Sequence, residues 1–150
     1  MLKNDPIRQL IATLFLSLAS RGRSKDDKFS NYGVAAAIEF TPIENWFEIE
    51  LGLTALNTSG RTALSGDLLL KKLFRLSPSA EFMIGLGPQV GRTFRGMKRG
   101  NSVALEGVLD LMVWSTNAAG FYLEPSDGYG LGKNKGERSV GGSAGLLVRW

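Results

Sequence analysis

Hydrophobic and polar residues alternate with a period of two along most of this chain. The clearest segment covers residues 45–56. Its first face is apolar and consists of Phe47, Ile49, Leu51, Leu53 and Ala55. Its second face carries Glu48, Glu50, Gly52 and Thr54. Because successive side chains of a β-strand point to opposite faces, this pattern predicts a strand with one apolar and one polar face.

The same two-faced pattern recurs in further segments that are separated by polar or glycine-containing stretches. They cover residues 32–41, 63–75, 80–90, 102–114, 120–132 and 139–150. The apolar run at residues 10–18 fits two interpretations, a first strand or the core of a secretory leader. Even strand numbers are the rule in single-chain bacterial outer-membrane barrels, which favours the strand. We therefore divide the chain into residues 1–31, a leader or first strand plus a charged loop, and residues 32–150, a barrel domain.

Two kinds of barrel fit this alternation, and the polar face distinguishes them. A soluble lipocalin-like barrel, which would bind a ligand, encloses its apolar face, whereas a membrane barrel exposes that face to lipid. The polar face carries many carboxylates, namely Glu39, Glu48, Glu50, Asp67, Glu81, Glu106, Asp110 and Glu124. Its clear basic residues are Lys71 and Arg149, whereas a water-facing surface normally mixes acids with many lysines. We therefore predict an all-β fold, an antiparallel up-and-down transmembrane β-barrel of about eight strands.

The charges also separate along the predicted barrel axis. With the C-terminus placed in the periplasm, the connections at the outer end cover residues 21–31, 57–62, 92–101 and 133–138. These stretches hold most of the 18 basic residues, and the opposite connections are short, as periplasmic turns are. Trp46, Trp114 and Trp150 fall at the inner ends of strands, where an aromatic girdle is expected.

Three pieces of the chain resemble small outer-membrane β-barrel proteins of the eight-stranded, porin-like type. They are residues 33–40 (GVAAAIEF), residues 47–53 (FEIELGL), and the apolar strand 139–150 that ends on an aromatic residue. The resemblance implies a bacterial outer-membrane location and an antiparallel barrel. It also implies that the last strand, with Leu146, Val148 and Trp150, is the signal for the barrel-insertion machinery. It implies no particular activity, because that group includes anchors, adhesins, pores and enzymes.

Composition narrows the possible chemistry. The 150 residues contain no cysteine and no histidine. The lack of histidine removes the usual general base of serine and cysteine hydrolases and the commonest metal ligand. We therefore predict that the protein is not an enzyme and needs no cofactor or metal. The sequence does not predict an oligomeric state.

The enclosed carboxylates are the sharpest candidate site. The first interpretation is a packed acidic lumen in a structural or surface protein, in which Lys71 and Arg149 bridge some of the acids. The alternative is a small passive cation-selective pore, since rings of acidic side chains favour cations. A divalent cation held by carboxylate oxygens is also possible, although no spacing here resembles a calcium motif.

The basic outer loops are the second candidate site. Arg92, Arg95, Lys98, Arg99, Lys133 and Lys135 are placed to contact phosphates of lipopolysaccharide. Nucleic acid is not an expected partner, because Phe94 is the single aromatic residue in the loop 92–101 on which bases could stack.

Overall fold

The computed structural model describes residues 13–21, 29–43, 46–58 and 60–148. The strands are β1 (Thr13–Arg21), β2 (Phe29–Ile43), β3 (Phe47–Thr58), β4 (Arg61–Ser77), β5 (Ala80–Arg95), β6 (Lys98–Trp114), β7 (Ala119–Leu131) and β8 (Arg138–Val148). A 3₁₀ turn, Gly132–Asn134, lies between β7 and β8. Among the described residues, no helix has the length and apolar character needed to cross a membrane.

The eight strands form one closed antiparallel barrel. Each strand pairs with the next along the chain, and β1 closes the sheet by pairing with β8, so that Leu14 lies opposite Leu146. Closure gives each described strand a neighbour on both sides, and such pairing of backbone groups is the condition for strands to lie in lipid. The predicted up-and-down β-barrel is therefore confirmed.

From Val34 onward, the apolar faces of β2 to β8 point out of the barrel. Leu51, Ile84 and Leu109 have 52%, 46% and 45% of their surface exposed, although each is large and apolar. Glu48 and Glu50, which alternate with such residues on β3, are buried. A soluble lipocalin-like barrel requires the reverse arrangement, so that alternative is wrong. A continuous apolar belt around a barrel is stable against hydrocarbon and costly against water.

The two ends of the barrel differ in their connections. The outer end, named after the predicted orientation, holds the connections β1–β2, β3–β4, β5–β6 and β7–β8. The inner end holds the connections β2–β3, β4–β5 and β6–β7. At the inner end only residues 78–79 separate β4 from β5, and residues 115–118 separate β6 from β7.

The strands extend further toward the outer end than the sequence predicts. The predicted loop 92–101 is wrong, because β5 continues to Arg95 and β6 begins at Lys98. The connecting residues are Gly96, which has a φ of 56°, and Met97, which is fully exposed. Glycine adopts this positive φ without a steric penalty, so it permits the tight hairpin turn. The sequence does not predict this extension, because polar and basic side chains obscure the alternation near the tip.

The N-terminal run contributes a strand to the barrel. The structure supports the strand interpretation, because β1 covers Thr13–Arg21 and overlaps most of the apolar run at residues 10–18. The second strand begins at Phe29, three residues before the predicted barrel domain at residue 32. Residues 1–12, which would include the basic part of a leader, lie outside the described residues.

Candidate functional site

Lys71 lies at the centre of the lumen. It belongs to β4, where Leu69, Lys71 and Leu73 point inward, and its exposed surface is 1%. The neighbouring strand supplies the space for its side chain, because Gly85 lies directly opposite on β5. A Cβ atom on Gly85 would come within 2.9 Å of Lys71 Cγ and 2.6 Å of Val108 Cγ2. The glycine therefore allows the lysine side chain to lie across the barrel wall.

Four carboxylates from four other strands converge on the Lys71 ammonium. Lys71 Nζ donates hydrogen bonds to Glu50 Oε2 at 2.6 Å, to Glu39 Oε1 at 3.2 Å and to Glu124 Oε2 at 3.2 Å. It donates a further hydrogen bond to Asp110 Oδ2. These five residues, which we call the lysine cluster, come from β2, β3, β4, β6 and β7. Each carboxylate is almost fully enclosed, and Glu124 is the most open at 12%.

The lysine cluster explains how acids can lie side by side in the barrel wall. Glu39 and Glu50 are direct cross-strand neighbours on β2 and β3, a position where like charges repel. Burial raises the cost of that repulsion because the local dielectric is low. The shared ammonium lies within hydrogen-bonding distance of both carboxylates and offsets their repulsion.

The ammonium does not satisfy all the acceptors around it. An ammonium group has three protons, whereas four carboxylates with eight oxygens surround it. Glu39 Oε2 and Asp110 Oδ1 are buried, and no donor among the described residues forms a hydrogen bond with them. Buried oxygens of this kind are rare in proteins, and each one calls for a physical explanation.

The other predicted lumen residues lie in separate, smaller contacts. Glu48 Oε1 accepts a hydrogen bond from Thr41 Oγ1 at 3.4 Å, near the inner end of β2 and β3. Glu106 Oε2 accepts one from Gln89 Nε2 at 2.7 Å. Asp67 lines the cavity described next. Arg149, predicted to bridge some of the acids, lies outside the described residues.

A cavity of about 250 Å³ occupies the outer half of the lumen. Its deep wall includes Glu50 and Glu124 of the lysine cluster, and its upper wall reaches Glu137 at the outer rim. Two further carboxylates, Asp67 and Glu106, lie between these levels. The remaining lining is mainly small or hydroxyl-bearing, with Thr54, Ser65, Thr93, Ser102, Ser126, Ser139 and Ser143. The lumen is therefore polar, acidic and roomy on the outer side of the lysine cluster.

Apolar side chains occupy much of the inner half of the lumen, beside Glu48 and Glu81. This apolar plug consists of Leu73, Met83, Met112, Trp114, Tyr122 and Leu147, all buried. These residues have the same parity as the carboxylates, but they lie nearer the inner ends of β4 to β8. Strand parity alone does not predict the plug, because parity does not distinguish positions along the barrel axis. The signal was available, because Leu73, Met83, Met112 and Leu147 all break the polar pattern at inner strand ends.

Only part of the predicted tryptophan girdle matches the structure. Trp46 lies in the turn before β3 and is 53% exposed, with Lys72 Nζ 4.3 Å from its ring centroid. The prediction that Trp114 belongs to the girdle is wrong, because Trp114 is buried in the apolar plug. Its Nε1 donates a hydrogen bond to Glu81 Oε2 at 3.1 Å, and Arg75 forms an ion pair with Glu81 at 3.7 Å. Trp150 lies outside the described residues.

Basic residues surround the outer end. Arg92, Arg95, Lys98 and Arg99 cluster at the tip of the β5–β6 hairpin, and the first of these stacks over Phe94 at 5.6 Å. Lys133 and Lys135 lie in the exposed connection between β7 and β8. Arg138 is paired with Asp127 through several hydrogen bonds, which accounts for an acid at an outward-facing position of β7. That pair was not predicted from the sequence.

The proposed insertion signal is only partly within the described residues. Leu146 and Val148 lie on β8, and both point outward with 57% and 43% of their surface exposed. Trp150 lies outside the described residues. The role of this strand in recognition by the insertion machinery stays a prediction.

The structure resembles solved barrels of known type. Neisserial surface protein A superimposes with a TM-score of 0.73 at 14% identity, over 95% of this chain and 96% of that chain. The chain has the fold of small outer-membrane β-barrels. The N-terminal barrel of Pseudomonas aeruginosa OprF gives a TM-score of 0.70 at 12% identity, covering 95% and 98% of the two chains. Ail, the attachment invasion locus protein of Yersinia pestis, gives 0.61 at 14% identity, covering 95% and 97%.

These similarities concern structure rather than sequence. No protein-family model matches the sequence, and no curated protein matches it. At 12–14% identity, the likeness establishes the fold and leaves the role of the barrel to be argued from its own residues. Ail has also been crystallised with the heparin analogue sucrose octasulfate.

Proposed function

We propose that this protein is a non-enzymatic structural and surface barrel of the bacterial outer membrane. Its outer rim contacts the phosphates of lipopolysaccharide, and its lumen does not conduct ions. The observation that carries this proposal is the division of the lumen into an acidic outer half and an apolar plug at the inner end.

The apolar plug is the reason to favour a structural role over a pore. A passive pore needs a continuous polar path, because an ion loses its hydration in an apolar constriction. Met83 and Leu147 are almost fully buried, with 0% and 1% exposed surface, so these side chains are closely packed. Below the lysine cluster, an ion would have to pass these packed apolar side chains, although Glu48 and Glu81 also lie at the inner end.

The basic rim supports contact with lipopolysaccharide. The four basic residues of the β5–β6 tip are Arg92, Arg95, Lys98 and Arg99, and they lie beyond the apolar belt. Each Lys or Arg near an anionic membrane surface contributes about 1 kcal/mol. The complex of Ail with a sulfated sugar shows that a barrel of the same fold accommodates a polyanion.

Substitutions at the tip of the β5–β6 hairpin test binding to lipopolysaccharide. A variant with Arg92, Arg95, Lys98 and Arg99 changed to serine should bind lipopolysaccharide micelles more weakly, with a smaller dependence on salt. The matched control is Arg75→Ser, which removes one basic residue at the inner end. Equal binding by the tip variant and the wild type would contradict this part of the proposal.

The pore alternative rests on the acidic outer cavity, and conductance in planar bilayers tests it. We expect no reproducible unitary currents from the refolded wild type in 1 M KCl. Steady cation-selective currents that vanish in Glu50→Gln would favour the pore instead.

A further inference from the structure

We infer that the outer end of β6, residues 98–102, is a docking edge for an acidic, extended peptide segment of a partner protein. The segment would join the sheet as an additional strand beside β6. This inference goes beyond the proposed function, because it uses backbone groups of the barrel and does not depend on contact with lipopolysaccharide. Addition of a strand to an open sheet edge is a common mode of peptide recognition.

The first argument is that β6 continues beyond its pairing with β7. Residues 98–102 pair with residues 91–95 of β5. The ladder between β6 and β7 begins only at Val103, which lies opposite Leu131. Residues 98–102 therefore have a strand on one side only, and we call this stretch the β6 edge.

The second argument is the direction of the backbone groups on the β6 edge. A two-residue turn joins β5 to β6, so the pair that closes the hairpin, Arg95 and Lys98, exchanges backbone hydrogen bonds. Such pairs alternate along an antiparallel ladder with residues whose N–H and C=O groups point to the other side. Arg99 and Asn101 therefore direct these groups away from β5. Among the described residues, no backbone hydrogen bond of a turn or loop reaches the β6 edge.

The third argument is access from outside the membrane. Residues 98–101 are exposed, and a Cβ atom added to Gly100 would meet nothing within 4 Å. The outward-facing apolar residues of β6 begin at Val103, so the β6 edge lies beyond the apolar belt. The 3₁₀ turn Gly132–Asn134 follows β7 directly and lies near β6 at the lower end of this edge. A strand can therefore approach the β6 edge without crossing hydrocarbon.

The fourth argument is charge, which selects the occupant. Residues 91–102 contain no acid, and the neighbouring connection, residues 132–137, contains one, Glu137. The basic residues of these two stretches are Arg92, Arg95, Lys98, Arg99, Lys133 and Lys135. Basic side chains on an edge oppose pairing with a strand of like charge, which includes the same edge of a second copy. They attract an acidic strand, so the β6 edge fits an acidic peptide.

Fluorescence anisotropy with a defined peptide tests this edge. The probe is a fluorescein-labelled octapeptide of alternating glutamate and threonine, titrated with the refolded wild-type barrel in zwitterionic detergent free of lipopolysaccharide. We expect saturable binding. The same peptide with every backbone N–H methylated should bind at least about tenfold more weakly, because it keeps its charges and loses its hydrogen-bond donors. A peptide of alternating lysine and threonine should not bind.

A substitution that keeps every charge locates the binding. Asn101→Pro removes a backbone N–H on the open side, and proline is tolerated on an edge strand where that N–H faces solvent. It should weaken binding of the acidic peptide about tenfold, whereas the matched control Asn101→Ala should bind like the wild type. Folding is checked by heat-modifiable migration on a gel.

Amide hydrogen exchange of the wild type, followed by nuclear magnetic resonance, serves if Asn101→Pro does not fold. The acidic peptide should slow exchange at the amides of Arg99 and Asn101, because these N–H groups become hydrogen-bonded to the added strand.

Two results would overturn the inference. The first is a folded wild type that does not bind the acidic peptide. The second is binding that methylation of the peptide or Asn101→Pro leaves unchanged, or exchange at Arg99 and Asn101 that the peptide does not slow. That result would mean that charge alone attracts the peptide and that no strand is added.

Discussion

Replacement of Lys71 by methionine should destabilise this barrel more than any other single change of a surface or lumen charge. Methionine has a similar length and flexibility, so the substitution removes the ammonium and largely keeps the packing. It leaves Glu39, Glu50, Asp110 and Glu124 enclosed together without the cation that they share.

The structure sets the size of the effect. Lys71 can form three full hydrogen bonds to charged acceptors, each worth about 1.5–3 kcal/mol. Protonation of the carboxylates and water from the outer cavity recover part of that loss. Breaking a buried ion pair by removing one partner typically costs about 3–5 kcal/mol, and we expect Lys71→Met to fall in this range.

Urea unfolding in lipid vesicles, followed by tryptophan fluorescence, measures the free energy of unfolding. The matched control is Lys72→Met, one residue along β4, because Lys72 faces outward and lies over Trp46. An exposed cation–π contact contributes about 0.5–1 kcal/mol, so the control should lose no more than that. A loss below about 1 kcal/mol for Lys71→Met would refute the electrostatic role of the lysine cluster, since it would fall under the range for a broken buried pair.

A double-mutant cycle isolates the interaction within the lysine cluster. Asp110→Asn should destabilise the wild type and should cost less, or stabilise, in the Lys71→Met background, because it then removes an uncompensated charge. A coupling energy of about 1–3 kcal/mol is typical for residues in one ion-pair network. Simple additivity of the two substitutions would contradict the shared contact.

Three further substitutions test how the barrel is built. Gly85→Val should lower the free energy of unfolding by about 1–3 kcal/mol, because its Cβ would overlap Lys71, whereas Gly100→Ala, with open space around it, should change little in the same urea experiment. Leu147→Ala should lower the free energy of unfolding in urea by about 2–5 kcal/mol, because it leaves a cavity in the apolar plug. An unchanged free energy of unfolding would mean that the inner lumen is not tightly packed. Gly60→Val should lower the free energy of unfolding by about 1–2 kcal/mol, since the φ of 77° is strained for a β-branched residue. It should also slow refolding in a stopped-flow assay. Wild-type stability and refolding rate would argue against this turn.

The fold could be predicted from the sequence because the two-residue period is strong in the middle of the strands. Residues such as Ile84, Leu86 and Val90 on β5 alternate with small or polar residues, and their positions give the strand and its outward face. The enclosure of the carboxylates then follows from parity together with the scarcity of lysines on the same face.

The sequence does not predict which inward-facing side chains meet, because that depends on their position along the barrel axis. The lysine cluster needs five side chains from five strands, and their meeting depends on the register and stagger of the closed sheet. Parity places Glu48 and Glu50 on the same face, but it does not predict that Glu50 accepts a hydrogen bond from Lys71 Nζ while Glu48 accepts one from Thr41 near the inner end. The outer ends of β5 and β6 are not predicted for a different reason. Arg92 and Lys98 are residue types typical of loops, but they belong to the strands of a hairpin.

The central claim, that the apolar face meets lipid and the carboxylates are enclosed, is best tested by site-directed spin labelling. The chain contains no cysteine, so single cysteines can be placed at Leu51 and Leu109 on the outward face and at Thr54 and Ser65, which line the outer cavity, on the inward face. In phospholipid vesicles, power-saturation electron paramagnetic resonance should show labels at the outward pair relaxed by oxygen, which concentrates in the hydrocarbon. Labels at the inward pair should show low oxygen accessibility, and the opposite assignment of the two pairs would contradict the account.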